Sequence, residues 1–269
     1  MNKIGLVAWI TFKDCIRNKA LYGIILLGLV LFFFNIIITG MFSWEAGKVA
    51  VDMGLSIISF SGLILIFFFS INSISSDIYN RTIYLILSRP VSKAHYILGK
   101  YTGLSLIILL SSIILGLCAA VSVKLSFLSV DRQIPFNFSW SIFFLSILFL
   151  TISLLIMMAL AVFWVSVTTH QFTALLLTLG SYFVGQSMEN VKNIILSTKL
   201  FTNDSLPVKV ISCVSWIMPN LAAFDLKTTA AYGLPVNASI LLWVALYGIS
   251  YIGVVLTLTI FIFQRRELA

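Results

Sequence analysis

A chain of 269 residues that is 60% hydrophobic and only 10% charged cannot cover a water-exposed surface, because soluble domains carry roughly 25% charged residues. This excludes a soluble globular protein of the same length and makes lipid the expected solvent for most of the chain. The net charge is +8, but the basic residues are split among several loops. That distribution fits juxtamembrane contact with anionic lipid and gives no ground for nucleic-acid binding.

Residues 1–19 read as an interfacial helix. At helical spacing, Ile4, Val7, Ala8, Phe12, Cys15 and Ile16 share one side, and Lys3, Lys13, Asp14 and Arg17 share the other. Leu6 and Ile10 interrupt the polar face, and Trp9 is expected at headgroup level. The following apolar run is long and lacks a small-residue cleavage pattern, so it is expected to stay as an anchor.

Six runs without a charged residue follow: Ala20 to Met41, Gly54 to Ser76, Tyr101 to Val123, Trp140 to Thr169, Phe172 to Met188 and Ser239 to Phe263. Each approaches or exceeds the ~20 residues that cross ~30 Å of hydrocarbon as a helix. Helices suit lipid because their backbone groups are satisfied internally. The expected fold class is an all-α integral membrane protein with six transmembrane helices, forming a single domain over residues 1–269.

The outer connections are unequal. Phe42 to Met53 and Lys124 to Ser139 are short, whereas 189–238 forms a long outer loop. Within it, Val208 to Met218 is apolar, Pro219 stops that segment, and Asn220 opens another with Leu221, Ala222 and Phe224. Two short re-entrant helices are expected there, between helices five and six. An even helix count puts both termini on one side. That side carries Lys3, Lys13, Arg17, Lys19, Arg81, Arg89, Lys93, Lys100, Arg265 and Arg266, ten of the seventeen basic residues. It is the expected cytoplasmic side of an inner (plasma) membrane.

The stretch SSDIYNRTIYLILSRPVSKAHYILGK, 75–100, is longer than a connection between neighbouring antiparallel helices requires. Ser76 or Asp77 reads as an N-cap. Thr82 to Leu87 continue that helix, and Pro90 ends it by disfavouring the helical conformation at Arg89. Ser92 caps the next helix, with Val91 and Tyr96 placed as a hydrophobic staple. The result is a cytoplasmic surface element between helices two and three.

These residues resemble the permease subunits of ABC-2-type (type V) ATP-binding-cassette transporters. The family pattern is matched by Asp77, Thr82, Leu85 to Leu87, Ser88-Arg89-Pro90-Val91-Ser92-Lys93 and Leu98-Gly99-Lys100. Asp77 stands where Glu is usual, and Arg81 where Gly is usual. In the outer loop, Pro219-Asn220-Leu221, Phe224-Asp225-Leu226-Lys227 and Tyr232-Gly233 resemble the subgroup that includes the permease of nitrous-oxide-reductase maturation.

The resemblance implies that 75–100 is a coupling helix seated in a cytoplasmic ABC ATPase. Asp77, Arg81, Thr82, Ser88, Arg89, Pro90, Val91, Ser92 and Lys93 would be the coupling residues, and Pro219, Asn220, Phe224 and Asp225 the outer motif. It further implies an ATPase homodimer, a second copy of this chain, membrane lipid around both, export of a solute, and room for a periplasmic accessory protein. No cofactor is expected on this chain; ATP and Mg²⁺ belong to the partner ATPase. Independently, the chain lacks a phosphate loop, since Gly23 and Gly28 have the glycine spacing but are followed by Leu29 and Val30.

Other readings weigh less. His95 and His170 have no Cys or second His at ligand spacing. Met157 and Met158 read as packing, and Cys15, Cys118 and Cys213 are expected inside, within and outside the membrane. Gly99/Gly103 and Ser181/Gly185 are small pairs that favour intrachain helix approach over dimer contact. A non-transporting anchor or assembly subunit is one alternative. An intramembrane enzyme is weaker: Ser56, Ser59 and Ser70 lie in runs without an acid or histidine to activate them.

Overall fold

The computed structural model describes residues 3–41, 46–79, 92–129, 138–198 and 217–265, which are helical with no β-strand. In chain order these residues form α1 (Lys3–Arg17), α2 (Lys19–Met41), α3 (Ala46–Ile64), a π-helical turn (Leu65–Ser70), α4 (Ile71–Tyr79) and α5 (Lys93–Ser129). They continue as α6 (Trp140–Val167), α7 (Gln171–Thr198), a 3-10 turn (Ala222–Phe224), α8 (Lys227–Tyr232) and α9 (Ala238–Arg265). The residues flanking the π turn, Ile64 and Ile71, keep right-handed helical angles, so α3, the turn and α4 make one unbroken rod.

Among the described residues, five helical stretches are long and apolar enough to cross a membrane: Tyr22–Met41, Ala46–Asp77, Lys93–Leu128, Trp140–Val167 and Ala238–Arg265. The remaining expected span, Phe172 to Met188, falls in α7. That helix has the 28 residues of α6, but Thr173, Thr178, Ser181, Tyr182 and Gln186 dilute its apolar run.

Three loop boundaries move. α3 begins at Ala46, so most of the expected connection Phe42 to Met53 is helix. α5 runs on past Val123 to Ser129, reaching 37 residues, or about 55 Å at 1.5 Å per residue. α7 continues past Met188 to Thr198, so the expected outer loop begins as helix. In the second and third places the charged residues that ended the apolar run, Lys124 and Glu189, are good helix formers. The second re-entrant helix is also replaced. After Pro219 the chain makes the 3-10 turn and the six-residue α8 instead. Most of the first, from Val208 onward, lies outside the described residues.

The α3–α4 rod is the centre of the bundle. Of its most apolar window 72% is buried, against 28% for α2 and for α9. α3 packs on α2, α5, α6 and α8, and α5 also packs on α1, α2, α6 and α9. Leu55, Ile58, Leu65, Ile66, Leu104 and Met158 fill the core, while Phe33, Phe34, Trp243 and Ile249 point outward. Outward apolar side chains are what a lipid-solvated bundle requires.

α1 lies on the first turns of α5. A side chain at Gly99 would put its Cβ 2.5 Å from Val7 Cβ, and one at Gly103 would sit 2.7 Å from the carbonyl oxygen of Ala8. The small pair thus works within the chain, as expected from the sequence. Val7, Ala8, Thr11 and Cys15 are the buried residues of α1, whereas Leu6, Trp9 and Ile10 are exposed.

A polar knot ties three helices inside the apolar zone. Asn35 Nδ2 on α2 donates to the Ala50 carbonyl on α3 at 3.3 Å and to Ser122 Oγ on α5 at 3.2 Å. Thr39 Oγ1 donates back to the Asn35 carbonyl at 2.7 Å. Hydrogen bonds of this kind hold spanning helices in register where lipid offers no competing partner.

Candidate functional site

The end of α4 meets the start of α5 through paired side chains. Ser73 and Asp77 are four residues apart on α4, and Tyr96 and Lys100 are four apart on α5, so each pair shares one helical face. Asp77 Oδ2 is 2.7 Å from Lys100 Nζ. The Tyr96 hydroxyl donates to the same Oδ2 at 2.7 Å, and Lys100 Nζ also reaches Ser73 Oγ at 3.4 Å. The Lys100 and Asp77 side chains are 9% and 22% exposed. A charge buried this far is kept only if it is paired and hydrogen-bonded, and here both conditions hold.

The knot extends to α9. Tyr96 is fully buried and stacks on Phe263 with ring centroids 6.2 Å apart. Lys93 Nζ donates to the carbonyl of Gln264 at 3.3 Å, a favourable position for a cation at a helix C-terminus.

Ser92 caps α5 as the sequence predicts. Its Oγ accepts the backbone N–H of His95 at 3.3 Å, and it also contacts His95 Nδ1. The expected cap at Ser76 or Asp77 is overturned. Both residues lie within α4, which continues to Tyr79, and the Asp77 carboxylate is spent on Lys100 and Tyr96. Of the expected coupling residues, the structure therefore describes Asp77, Ser92 and Lys93. Arg81, Thr82, Ser88, Arg89, Pro90 and Val91 lie outside the described residues.

The outer motif is brought together as a plug. The Leu221 N–H donates to the carbonyl of Gly185 on α7 at 3.1 Å. A Cβ at Gly185 would lie 2.8 Å from the Pro219 carbonyl oxygen, so only glycine admits this approach. The Asn220 N–H donates to the Tyr247 hydroxyl on α9 at 3.2 Å, and Asn220 Nδ2 reaches Glu189 at 3.5 Å. Phe224 is buried between Phe149 and Tyr247, with centroids at 6.3 and 6.2 Å.

Asp225 closes the motif. Its Oδ1 accepts the Lys227 N–H at 3.1 Å, starting α8. Its Oδ2 accepts from Gln186 Nε2 at 3.4 Å and faces Lys227 Nζ at 3.7 Å. Gly233, at φ 63°, ends α8 in the left-handed conformation that glycine adopts without a Cβ penalty. Pro219, Asn220, Phe224 and Asp225 thus lock the turn against α6, α7 and α9.

Among the described residues no three His, Cys, Asp or Glu side chains converge to hold a metal. Ser73, Gln186 and Tyr247 were missed by sequence reasoning. Their signal, polar residues at helical spacing within apolar runs, was present for Ser73.

Residues 6–268 match the model for the family described as ABC-2 family transporter protein. The chain belongs to the ABC-2 transporter family. No curated protein matches it. Membership makes the chain a multi-pass membrane permease of the ABC class, and ABC-2 permeases work with a cytoplasmic ABC ATPase. In an ABC-2 chain the Asp77–Lys100 pair acquires a specific setting: it joins the two helices on either side of residues 80–91.

Proposed function

We propose that this chain is the dimerising permease subunit of an ATP-driven exporter, with residues 75–100 docking on separate cytoplasmic ATPases. In this reading α7 is the sixth span, both termini are cytoplasmic, and two copies frame the solute path in an inner membrane. The family match over residues 6–268 carries the proposal. The knot at Asp77 supports it, because displacement of a segment between α4 and α5 would be delivered to both helices together. The resemblance of Pro219-Asn220-Leu221, Phe224-Asp225-Leu226-Lys227 and Tyr232-Gly233 to the nitrous-oxide-reductase maturation subgroup supports a relation to that branch.

The test is affinity purification of the chain from its native membrane, followed by reconstitution in liposomes. An ABC ATPase is expected to co-purify, and ATP hydrolysis is expected only when it is present. A chain that purifies with no ATPase from membranes that contain one, or that hydrolyses ATP alone, would overturn the reading.

A further inference from the structure

A cavity of about 410 Å³ opens at the same end of the bundle as the Asp77–Lys100 pair, within the size range of small-molecule sites. One wall is Asn72, Ser75, Ser76 and Tyr79 on α4, the i, i+3, i+4, i+7 spacing of a single helical face. The facing wall is the break between α6 and α7, from Thr168 to Gln171. Thr168 adopts extended angles there and donates through Oγ1 to the carbonyl of Trp164 at 2.8 Å. Among the described residues, the side chains of Asn72, Ser75, Thr169 and Gln171 have no hydrogen-bond partner, so their capacity is open to the cavity.

The chemistry of this lining is selective. Its polar side chains are hydroxyls, the amides of Asn72 and Gln171 and the imidazole of His170, each able to pair with a ligand hydroxyl. No carboxylate, ammonium or guanidinium occurs among its described residues, so it sets no permanent countercharge against a charged head group. Val167 and Phe172, immediately before and after the facing wall, are 45% and 69% exposed, so apolar surface flanks the mouth. A polar stripe on a helix that continues a membrane span is costly against lipid; facing a cavity resolves that cost.

We propose that this cavity binds an uncharged, hydroxyl-rich head group, presented by a glycosyl lipid or by a free sugar. The assignment goes beyond the exporter reading and requires no ATPase. The experiment uses the purified full chain in micelles doped with monoglucosyl diacylglycerol, phosphatidylglycerol and phosphatidylcholine, with retained lipid identified by native mass spectrometry. The glucolipid is expected to be retained over both phospholipids. Displacement by methyl glucoside would assign recognition to the sugar alone, and resistance to it would assign recognition to the lipid-borne form.

Gln171→Ala and the near-isosteric Thr169→Val are each expected to lower retention about five-fold, as one hydrogen bond is lost. Leu106→Ala, on the exposed face of α5, is expected to leave it unchanged. Equal retention of phosphatidylglycerol, or full retention by both Gln171→Ala and Thr169→Val, would overturn the proposal.

Discussion

Asp77 and Lys100 close a 2.7 Å ion pair between two helices whose connection is the segment matching the coupling motif. The pair is partly buried and shares its carboxylate with the Tyr96 hydroxyl. Removing one member therefore leaves a charge without its partner, whereas removing both does not. Lys100→Met is expected to destabilise by about 2–4 kcal/mol, somewhat below the 3–5 kcal/mol of fully buried pairs because Asp77 retains contact with water. The double variant Asp77→Asn/Lys100→Met is expected to recover part of that loss. Thermal unfolding of the purified chain in detergent is the check, and simple additivity would remove the coupling between them.

Arg89 and Pro90 are predicted to act differently. Arg89→Glu is expected to weaken ATPase docking and raise its salt sensitivity while membrane insertion continues, because a rim charge chiefly alters association. Pro90→Ala is expected to preserve docking and reduce substrate-stimulated hydrolysis, since helix can then extend through the break. Co-purification and ATP turnover at matched expression separate the two effects. Normal values of both in both variants would leave the basic residues as topology signals.

Topology is best read with introduced cysteines. Cys15 is buried against α5, and burial pushes its thiol up to about 12, so little thiolate is available to a labelling reagent. In a chain lacking its native cysteines, Lys13→Cys and Thr169→Cys are expected to label from the cytoplasmic side. Asn190→Cys and Leu234→Cys are expected to label from the outside with a membrane-impermeant maleimide. Thr169 and Asn190 flank the apolar run Phe172 to Met188 of α7, so labelling of both from one side would remove α7 as a span.

Asn35 makes a second stability prediction. Its amide holds α2 to α3 and α5, and intramembrane hydrogen bonds contribute about 0.6–2 kcal/mol each. Asn35→Ala is expected to lower the unfolding temperature more than Thr257→Ala. That hydroxyl is exposed and bonds only within its own helix, to the carbonyl of Val254.

What the sequence made legible was local. The apolar runs at Ala20, Gly54, Tyr101, Trp140 and Ser239 became helices because a lipid-soluble run has few other backbone solutions. Ser92 could be recognised as a cap because the bond to His95 spans three residues. Asp77 was misread as a cap because its true partner lies 23 residues away, across a connection whose path the local pattern does not set. The roles of Gln186 and Tyr247 were invisible for a similar reason: each is defined by a turn that arrives from a distant part of the chain. Extension of α5 and α7 beyond their apolar runs followed helix propensity, a weaker cue than hydropathy.

The π turn at Leu65–Ser70 carries a final consequence. A π turn accommodates an added residue without ending the rod, and each residue of an α-helix turns the chain by about 100°. The rod therefore holds one residue more than regular winding over the same length would, and the 3.6-residue spacing of α3 does not carry over to α4 in the sequence although it does along the axis. Removing one residue between Leu65 and Ser70 would let regular winding run through, leaving Asp77 turned to Lys100 and the Asn72–Tyr79 stripe turned to its cavity. The turn is thus a place where the rod can change length while the contacts at its far end stay in register.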